Sequence, residues 1–299
     1  MRLNQIRDLL AIIEAGSLRA AARRLGVSQP AISKSVSQLE AELQAQLLMR
    51  TARGVVLTPA GRAFVARGRV IDGELRKIPS DIAALRGRSE GTVSFGSGPV
   101  ATFPLVPDAV SRFRAKFPRA HIRIREGMRT ALLPLVRDET LDFSVSENVS
   151  AGEDVGLQFK PLIQMELVIA CRRGHPLSKA VSLEKLSEAS WLVFNLPGTG
   201  GALERTFEEN GLSAPNTLVH CESYAAALAL VARSDLLALF MRQVLETPIA
   251  EAFLQRIPTR EKILRPTIGI YSRVGAPLSP PATAMVQAFT AAARTIGRG

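Results

Sequence analysis

The sequence predicts a winged helix-turn-helix at the N-terminus, then one long helix, then an α/β region of roughly 200 residues. Three observations carry this prediction. Two short helical patterns meet at Gly26, apolar residues recur at helical spacing from Phe64 to Leu85, and short apolar runs alternate with helical patterns from Thr92 onward. A chain of 299 residues is long enough for two or three domains, each with its own core.

The composition is that of a globular protein, with 46% hydrophobic and 22% charged residues. No apolar run approaches the roughly 18 residues of a membrane span, and Arg7, Asp8 and Glu14 interrupt the positions that a signal peptide would need. We therefore expect a cytoplasmic protein. The net charge is +11, and residues 1–91 hold 15 Lys/Arg against 8 Asp/Glu. This basic N-terminal third indicates a polyanionic partner.

The first two helices follow from apolar spacing and from the residues that start and stop helices. Residues 3–15 form one amphipathic pattern, which Gly16 ends. Ser17 is placed to cap a second helix whose apolar face runs to Leu25. Gly26 then supplies a tight turn.

The third helix begins with Ser28 as N-cap and Pro30 in the first turn, where a missing N–H costs nothing. Its buried stripe is predicted to be Ile32, Val36, Leu39 and Leu43. The opposite face is polar, and Gln, Ser and Lys side chains can bond to base edges or phosphates. A solvated helix face is the alternative. The candidate DNA contacts in this helix are Ser28, Gln29, Pro30, Ser33, Lys34 and Ser37.

A basic hairpin is predicted after the third helix, because two apolar runs flank Gly54 between Leu47 and Leu57. Arg50 and Arg53 lie on this wing, where they can grip phosphates or enter the minor groove. Solvated arginines are the alternative. The order of helix, turn, helix and basic wing favours double-stranded DNA as the partner.

The chain resembles the LysR-type transcriptional regulators. The resemblance is tight through about residue 66 and looser beyond, and it implies that the third helix reads DNA while the following helix pairs two subunits. It is carried by Gly16-Ser17, Ala21-Ala22, Leu25, Ser28-Gln29-Pro30-Ala31, Ser33, Leu39-Glu40, Leu47, Arg50, Leu57-Thr58, Ala60 and Gly61.

The linker helix is predicted to start with Thr58 as cap and Pro59 at its first position. Its apolar residues form a heptad-like seam of Phe64, Ile71, Leu75, Ile78, Ile82 and Leu85. The seam favours a second copy of the chain as partner, and packing on the protein's own core is the alternative. Pro79 lies inside the seam and predicts a kink or break near residues 75–79, since it removes one hydrogen bond. Gly87 and Gly91 mark the next boundary.

The C-terminal region is predicted to contain mainly parallel sheets. The predicted strands are Val93–Gly96, His121–Arg125, Leu141–Val145, Leu167–Cys171, Trp191–Phe194, Leu218–Cys221, Leu236–Phe240 and Thr267–Ser272. The predicted helices are Leu105–Phe117, Thr130–Arg137, Ala202–Asn210, Tyr224–Ala232 and Pro280–Thr295.

The resemblance implies two similar Rossmann-like lobes, like those of a periplasmic binding protein, joined by crossovers near Lys160–Glu166 and Leu264–Ile268. The expected domains are a winged helix-turn-helix (1–58), a linker or dimerisation helix (59–91) and an effector-binding domain (92–299). Within the last, lobe I comprises 92–163 with 267–299, and lobe II comprises 164–266. The regulator would act as a homo-oligomer, a dimer or a tetramer.

Candidate effector contacts follow the predicted strands, because open α/β sheets bind ligands beyond the C-terminal ends of their strands. Small hydroxyls and glycines at these ends suit an anion, and simple helix capping is the alternative for three of them (Thr130, Thr199, Ser223). Segments 221–224 and 231–236 resemble a branch that senses aromatic acids or sulfonates. The candidates are Ser97, Gly98, Pro99, Met128, Arg129, Thr130, Ser146, Asn195, Thr199, Glu222 and Ser223.

Other function classes are disfavoured by the motifs that the sequence lacks. No Walker A loop, complete dinucleotide fingerprint, GxSxG elbow or HExxH motif occurs, so we expect no catalytic residues and no enzyme. The two cysteines are too few for a Cys-rich zinc site, and we expect no metal and no cofactor. A redox-sensing regulator using Cys171 and Cys221 remains the alternative, although strand cysteines are usually inert.

Overall fold

The computed structural model describes residues 1–51, 54–85, 91–148, 155–194 and 201–297. It divides into two compact units, Met1–Ser89 with Arg137–Thr140, and Glu90–Val136 with Leu141–Gly299. Among the helices described, none combines the length and the apolar character that crossing a membrane requires.

The first unit is built from helices and a two-stranded wing, and the bounds of its first two helices agree with the predicted ones. Ser17 Oγ accepts from Ala20 N at 3.2 Å, and Gly26 adopts a φ of 67° in the turn between the second and third helices. The elements are α1 (Leu3–Ala15), α2 (Leu18–Leu25), α3 (Gln29–Leu43), β1 (Leu48–Thr51), β2 (Gly54–Leu57) and α4 (Pro59–Leu85).

The core of this unit is formed where α1, α2 and α3 cross. Two residues predicted to be buried are not, because Leu25 and Leu43 are each 40% exposed at the last positions of their helices. The small side chains of Ala21 and Ala22 are buried between the helices, which allows their close packing. The other buried apolar residues of the cluster are Ile6, Leu9, Leu10, Ala11, Ile12, Leu18, Ile32, Val36, Leu39, Leu47 and Val65.

The long helix α4 corrects the predicted break near residues 75–79. It is continuous from Pro59 to Leu85, so Pro79 interrupts one hydrogen bond without ending the helix. The first turns of α4 pack on α1, with Val65 buried. Farther along, three isoleucines of the seam are exposed, Ile71 at 38%, Ile78 at 49% and Ile82 at 45%.

The second unit contains two five-stranded sheets. Lobe I has the strand order β4-β3-β5-β12-β6 and lobe II the order β11-β7-β10-β8-β9. The elements are β3 (Thr92–Ser97), α5 (Pro99–Lys116), β4 (His121–Glu126), α6 (Arg129–Arg137), β5 (Phe143–Asn148), β6 (Leu157–Gln164), β7 (Leu167–Arg172), β8 (Trp191–Val193), α7 (Ala202–Glu209), β9 (Thr217–His220), α8 (Tyr224–Ala232), β10 (Leu237–Met241), α9 (Arg242–Leu245), α10 (Pro248–Phe253), β11 (Leu254–Ile257), β12 (Thr267–Arg273) and α11 (Pro280–Ile296).

The prediction of mainly parallel sheets is wrong. In the described parts of the two lobes, four strand pairings are parallel and four are antiparallel. The chain crosses between the lobes twice, and β12 enters lobe I from lobe II rather than through a βαβ unit. Such a strand is free to run antiparallel to both β5 and β6.

Several elements of the lobes also differ from the prediction, among them β5, α5 and β6. β5 ends at Asn148, three residues beyond the predicted Val145. α5 begins at Pro99 rather than Leu105, because Pro104 and Pro107 lie inside the helix without ending it. β6 was not predicted, and it occupies most of the segment in which the first crossover was expected, Lys160–Glu166. Its Pro161 is tolerated because β6 is an edge strand whose pairing shifts register beside it.

The two crossover segments lie side by side between the lobes. Met165 N donates to Pro266 O at 3.0 Å, so the two segments are hydrogen-bonded to each other. Glu166, beside Met165, forms an ion pair with Arg242 at 3.2 Å. This junction fixes where the facing edges of the lobes meet.

Candidate functional site

The N-terminal unit presents one polar helix face to solvent. Ser28, Gln29, Pro30, Lys34 and Ser37 are all exposed on α3. Ser33 is half-buried and takes part in a polar interaction. The predicted DNA contacts on α3 therefore share a surface, and five of the six are accessible to a partner.

Ser28 has a structural role as well as a place on this surface. Its Oγ accepts from Ala31 N at 3.3 Å, which satisfies one of the free N–H groups at the start of α3. The helix start is thus fixed by the residue beside Gln29, and Gln29 lies in the first turn of α3. The first turn of such a helix is the part that reaches base edges in helix-turn-helix proteins.

The wing is held to the helices by two side chains that are not among the predicted DNA contacts. Glu40 Oε1 accepts from Leu47 N at 2.7 Å and from Leu48 N at 3.0 Å, which joins α3 to the start of β1. Thr58 Oγ1 donates to Gln46 O at 2.6 Å and accepts from Gly61 N at 2.9 Å. These bonds set the direction in which the hairpin leaves the helices.

The two wing arginines differ in what the structure describes. Arg50 lies in β1 opposite Val55 of β2. Arg53 lies outside the described residues. The role of both arginines at DNA stays a prediction.

The surface around α2 and α3 carries positive charge. Arg24 pairs with Glu14 at 2.8 Å. Arg19, Arg23 and Lys34 are exposed and form no ion pair within the described part of the chain. Unpaired surface cations at this face favour a polyanion.

The second unit contains a cavity of about 230 Å³ between the facing edges of its two lobes. Lobe I contributes Pro99, Val100, Met128, Glu147 and Asn148. Lobe II contributes the start of α7, Tyr224 and the apolar side chains of its central strands. The second crossover adds residues 264–267, which include Arg265.

One wall of the cavity is aromatic. Phe194 stacks on Tyr224 with ring centroids 5.2 Å apart and an angle of 14° between the rings. Tyr224 is buried, its Oη accepts from Met241 N at 3.2 Å, and burial raises the pKa of its hydroxyl far above the usual range. The ring is therefore a fixed, neutral surface for a ligand.

Two of the predicted effector contacts line the cavity, Pro99 and Met128. Ser97 and Ser146 are fully buried and bonded to Thr102 Oγ1 and Ser144 Oγ, each at 2.9 Å. Gly98 is the N-cap of α5, and Arg129 is a half-buried first residue of α6.

Thr130 and Glu222 are exposed, and Ser223 caps α8 by accepting from Ala226 N. None of these three belongs to the cavity lining. Asn195 and Thr199 lie outside the described residues.

Glu147 is the functional candidate that the sequence argument missed. Its Oε2 is buried and has no hydrogen-bond partner among the described residues. Burial raises the pKa of this carboxyl, and a hydrogen bond from its own backbone and the charge of Arg129 act in the opposite direction. The sequence prediction ended this strand at Val145, whereas β5 ends at Asn148. A strand predicted to that residue would have placed Glu147 at the strand end, where effector contacts were sought.

The redox alternative is not supported by the two cysteines. Cys171 is fully buried in β7, and burial raises the pKa of its thiol, which disfavours the reactive thiolate. Cys221 follows β9, and two strands separate β7 from β9, a distance of about 14 Å. A disulfide requires Cα atoms within about 7 Å.

Comparison with known proteins assigns the chain to a family. Residues 3–62 match the family model of bacterial regulatory helix-turn-helix proteins of the lysR family, and residues 86–294 match the LysR substrate binding domain. The chain belongs to the LysR family of transcriptional regulators. The predicted resemblance to this family and the predicted fold class are thereby confirmed, whereas the resemblance to a branch that senses aromatic acids or sulfonates stays a prediction.

Two curated relatives align with most of this LysR-type regulator. The HTH-type transcriptional regulator GalR of Pseudomonas putida is 32% identical, over 92% of this chain and 70% of that protein. The SDS degradation transcriptional activation protein of a Pseudomonas species is 31% identical, over 95% of this chain and 94% of that protein. Because such relatives are regulators, the chain is a DNA-binding transcriptional regulator and not an enzyme.

Solved structures agree with the fold. The crystal structure of CbnR, a LysR family transcriptional regulator, superposes with a TM-score of 0.74 at 21% identity, over 98% of this chain and 99% of CbnR. Full-length CbnR in complex with its target DNA gives a TM-score of 0.70 at 22% identity, over 98% of this chain and all of that chain.

Proposed function

We propose that this regulator reads a specific DNA sequence with α3 and responds to a small, aromatic and acidic effector bound between the two lobes. The observation that carries the DNA half is the shared exposed face of α3, with Gln29 in its first turn. Ser28, Pro30, Ser33, Lys34 and Ser37 complete this contact surface. Arg50 and Arg53 add contacts to the DNA phosphates, which depend on salt concentration but not on DNA sequence.

The effector half rests on the chemistry of the cavity. A cavity of about 230 Å³ is smaller than the roughly 300–1,000 Å³ of drug-sized sites, so it fits a molecule of about one ring. The stacked pair of Phe194 and Tyr224 provides an aromatic wall. Arg265 is exposed in the lining and forms no ion pair within the described residues, so it can attract an acid group.

One curated relative supports an anionic effector with an apolar body, since its name refers to the degradation of SDS. Effector binding changes promoter occupancy only if its affinity differs between two arrangements of the regulator.

The exposed isoleucines of α4 support assembly of two or four copies, which brings two DNA-reading helices to half-sites related by symmetry. A cytoplasmic location is part of the same proposal.

The DNA half is tested by fluorescence anisotropy with a duplex selected from a randomised library. We expect Lys34→Ala in the full-length chain to weaken binding and to reduce the slope of log Kd against log salt by about one. Lys179→Ala is the matched control, since Lys179 is an exposed lysine of lobe II. Equal salt slopes for wild type and Lys34→Ala would show that Lys34 does not contact the DNA.

A further inference from the structure

The lobe I wall of the cavity includes a carboxyl with one oxygen that no described residue bonds. Glu147 lines the cavity, and its Oε2 is buried without a hydrogen-bond partner among the described residues. A buried charged or polar group without a partner costs free energy, which a ligand that supplies the partner recovers. The carboxyl is therefore a prepared contact for a donor.

The surrounding residues keep this carboxyl in place. A Cβ on Gly98 would lie 3.2 Å from Glu147 Oε2 and 3.3 Å from Ser146 Oγ, so the glycine leaves the space that the carboxyl needs. Gly98 is the N-cap of α5, so the carboxyl lies beside the positive end of an 18-residue helix. The position that an anionic ligand group would prefer is already occupied by the protein's own acid.

The facing lobe repeats this arrangement. Gly201 is the N-cap of α7, and its N–H donates to Glu204 Oε2 at 3.1 Å. The starts of α5 and α7, which both line the cavity, therefore each have a carboxyl group of this chain beside them. An effector whose acid group sat at the start of α5 or α7 would have to share that place with this carboxyl group.

We propose that Glu147 receives an ammonium group of the effector, so that the effector is a zwitterionic aromatic molecule with an amine at one end and an acid at the other. The inference rests on the proposed function, because it assumes that the cavity holds the effector. The amine contacts the lobe I wall, the ring packs on Phe194 and Tyr224, and the acid faces Arg265. Charge-assisted hydrogen bonds of this kind are short and strong.

The raised pKa of Glu147 agrees with this reading. Burial disfavours the carboxylate, whereas a backbone hydrogen bond and the charge of Arg129 favour it. The ammonium group of a bound effector would favour the carboxylate further. Binding of an amine should therefore lower the pKa of Glu147, which carbonyl-region NMR of ¹³C-labelled glutamate can follow, with Glu147→Gln providing the assignment.

The test compares two matched probes by calorimetry with the full-length chain. The probes are 4-(aminomethyl)benzoate and 4-methylbenzoate, which share the ring and the acid and differ in the amine. For wild type we expect the amine to lower Kd at least about tenfold. In Glu147→Gln the ratio of the two Kd values should fall to near one. Glu126→Gln, at an exposed carboxylate of β4, is the control and should keep the wild-type ratio.

The outcomes separate this inference from the function it rests on. Equal Kd values for both probes in wild type overturn the ammonium contact and leave the cavity as a ligand site. A ratio that persists in Glu147→Gln overturns the role of Glu147. Binding of neither probe at millimolar concentration, or binding that survives the cavity-filling Ala202→Trp, overturns the assignment of the cavity as well. If Glu147→Gln changes the fold, the NMR titration of the wild type decides, since an unchanged Glu147 pKa contradicts the inference.

Discussion

At the scale of single residues, Gly61 shows how the wing joins the helices. A Cβ at this position would lie 2.0 Å from Leu47 O, which is backbone and cannot move away as a side chain could. We expect Gly61→Ala to destabilise the N-terminal unit by about 1–3 kcal/mol, because the wing must shift. Hydrogen exchange of α1 to α3 in the full chain measures this loss.

The neighbouring Ala60→Ser serves as control for Gly61→Ala, since Ala60 is exposed in the same turn. Protection factors that agree between Gly61→Ala and wild type would contradict the close approach to Leu47.

Glu147 also makes stability depend on pH. Its pKa is raised above 4.5 in the folded protein, so the folded state holds this proton more tightly than the unfolded state does. The stability from this group is full at pH below 4.5 and is lost as pH rises through the folded pKa. Glutamine stays neutral at every pH, so the Tm of Glu147→Gln minus the Tm of wild type should increase as pH rises.

Thermal unfolding from about pH 4 to pH 8 measures this difference. Glu126→Gln should show a Tm difference that stays flat over the same range. A flat difference for Glu147→Gln would mean that its carboxyl is not desolvated.

At the scale of elements, we expect the exposed seam of α4 to form the contact between copies of the chain. Ile78 and Ile82 are 49% and 45% exposed in one copy of the chain, and a second α4 can cover them. We expect the double change of Ile78→Asp and Ile82→Asp to lower the sedimentation coefficient to that of a single chain, because charges in a paired seam are strongly unfavourable.

Ala66→Asp controls for the added charge, since Ala66 is exposed on α4 away from the seam. A sedimentation coefficient that the double change leaves unaltered would place the contact between copies elsewhere.

The sequence predicted elements well where local chemistry decides them. The caps at Ser17 and Ser28 and the turn at Gly26 depend only on neighbouring residues, and all three are present. Pro79 misled the prediction because a proline penalty is local, whereas the continuation of a long helix also depends on the residues beyond it.

The candidate effector site was less predictable. The prediction chose Ser146 because it ended the strand at Val145, whereas Glu147 of the longer β5 lines the cavity. The end of a strand depends on its pairing partner, here β12, as well as on its own sequence. Glu147 pairs with Ile268 of β12, and its Oε2 lies close to Gly98. Neither residue is adjacent to Glu147 in sequence.

At the scale of the whole molecule, a regulator needs a DNA-reading unit and a ligand-responsive unit in one chain. The basic surface lies in the first unit and the cavity in the second. Residues 1–91 hold most of the net positive charge, which suits association with DNA through that unit.

The most direct test of the account measures how wild type and Gln29→Ala bind every single-base-pair variant of a selected duplex, at fixed salt. Wild type should lose about 1–3 kcal/mol for a wrong pair at the position that Gln29 reads, and Gln29→Ala should lose that discrimination only there. Equal discrimination by both proteins at every position would contradict the claim that the exposed face of α3 reads the sequence.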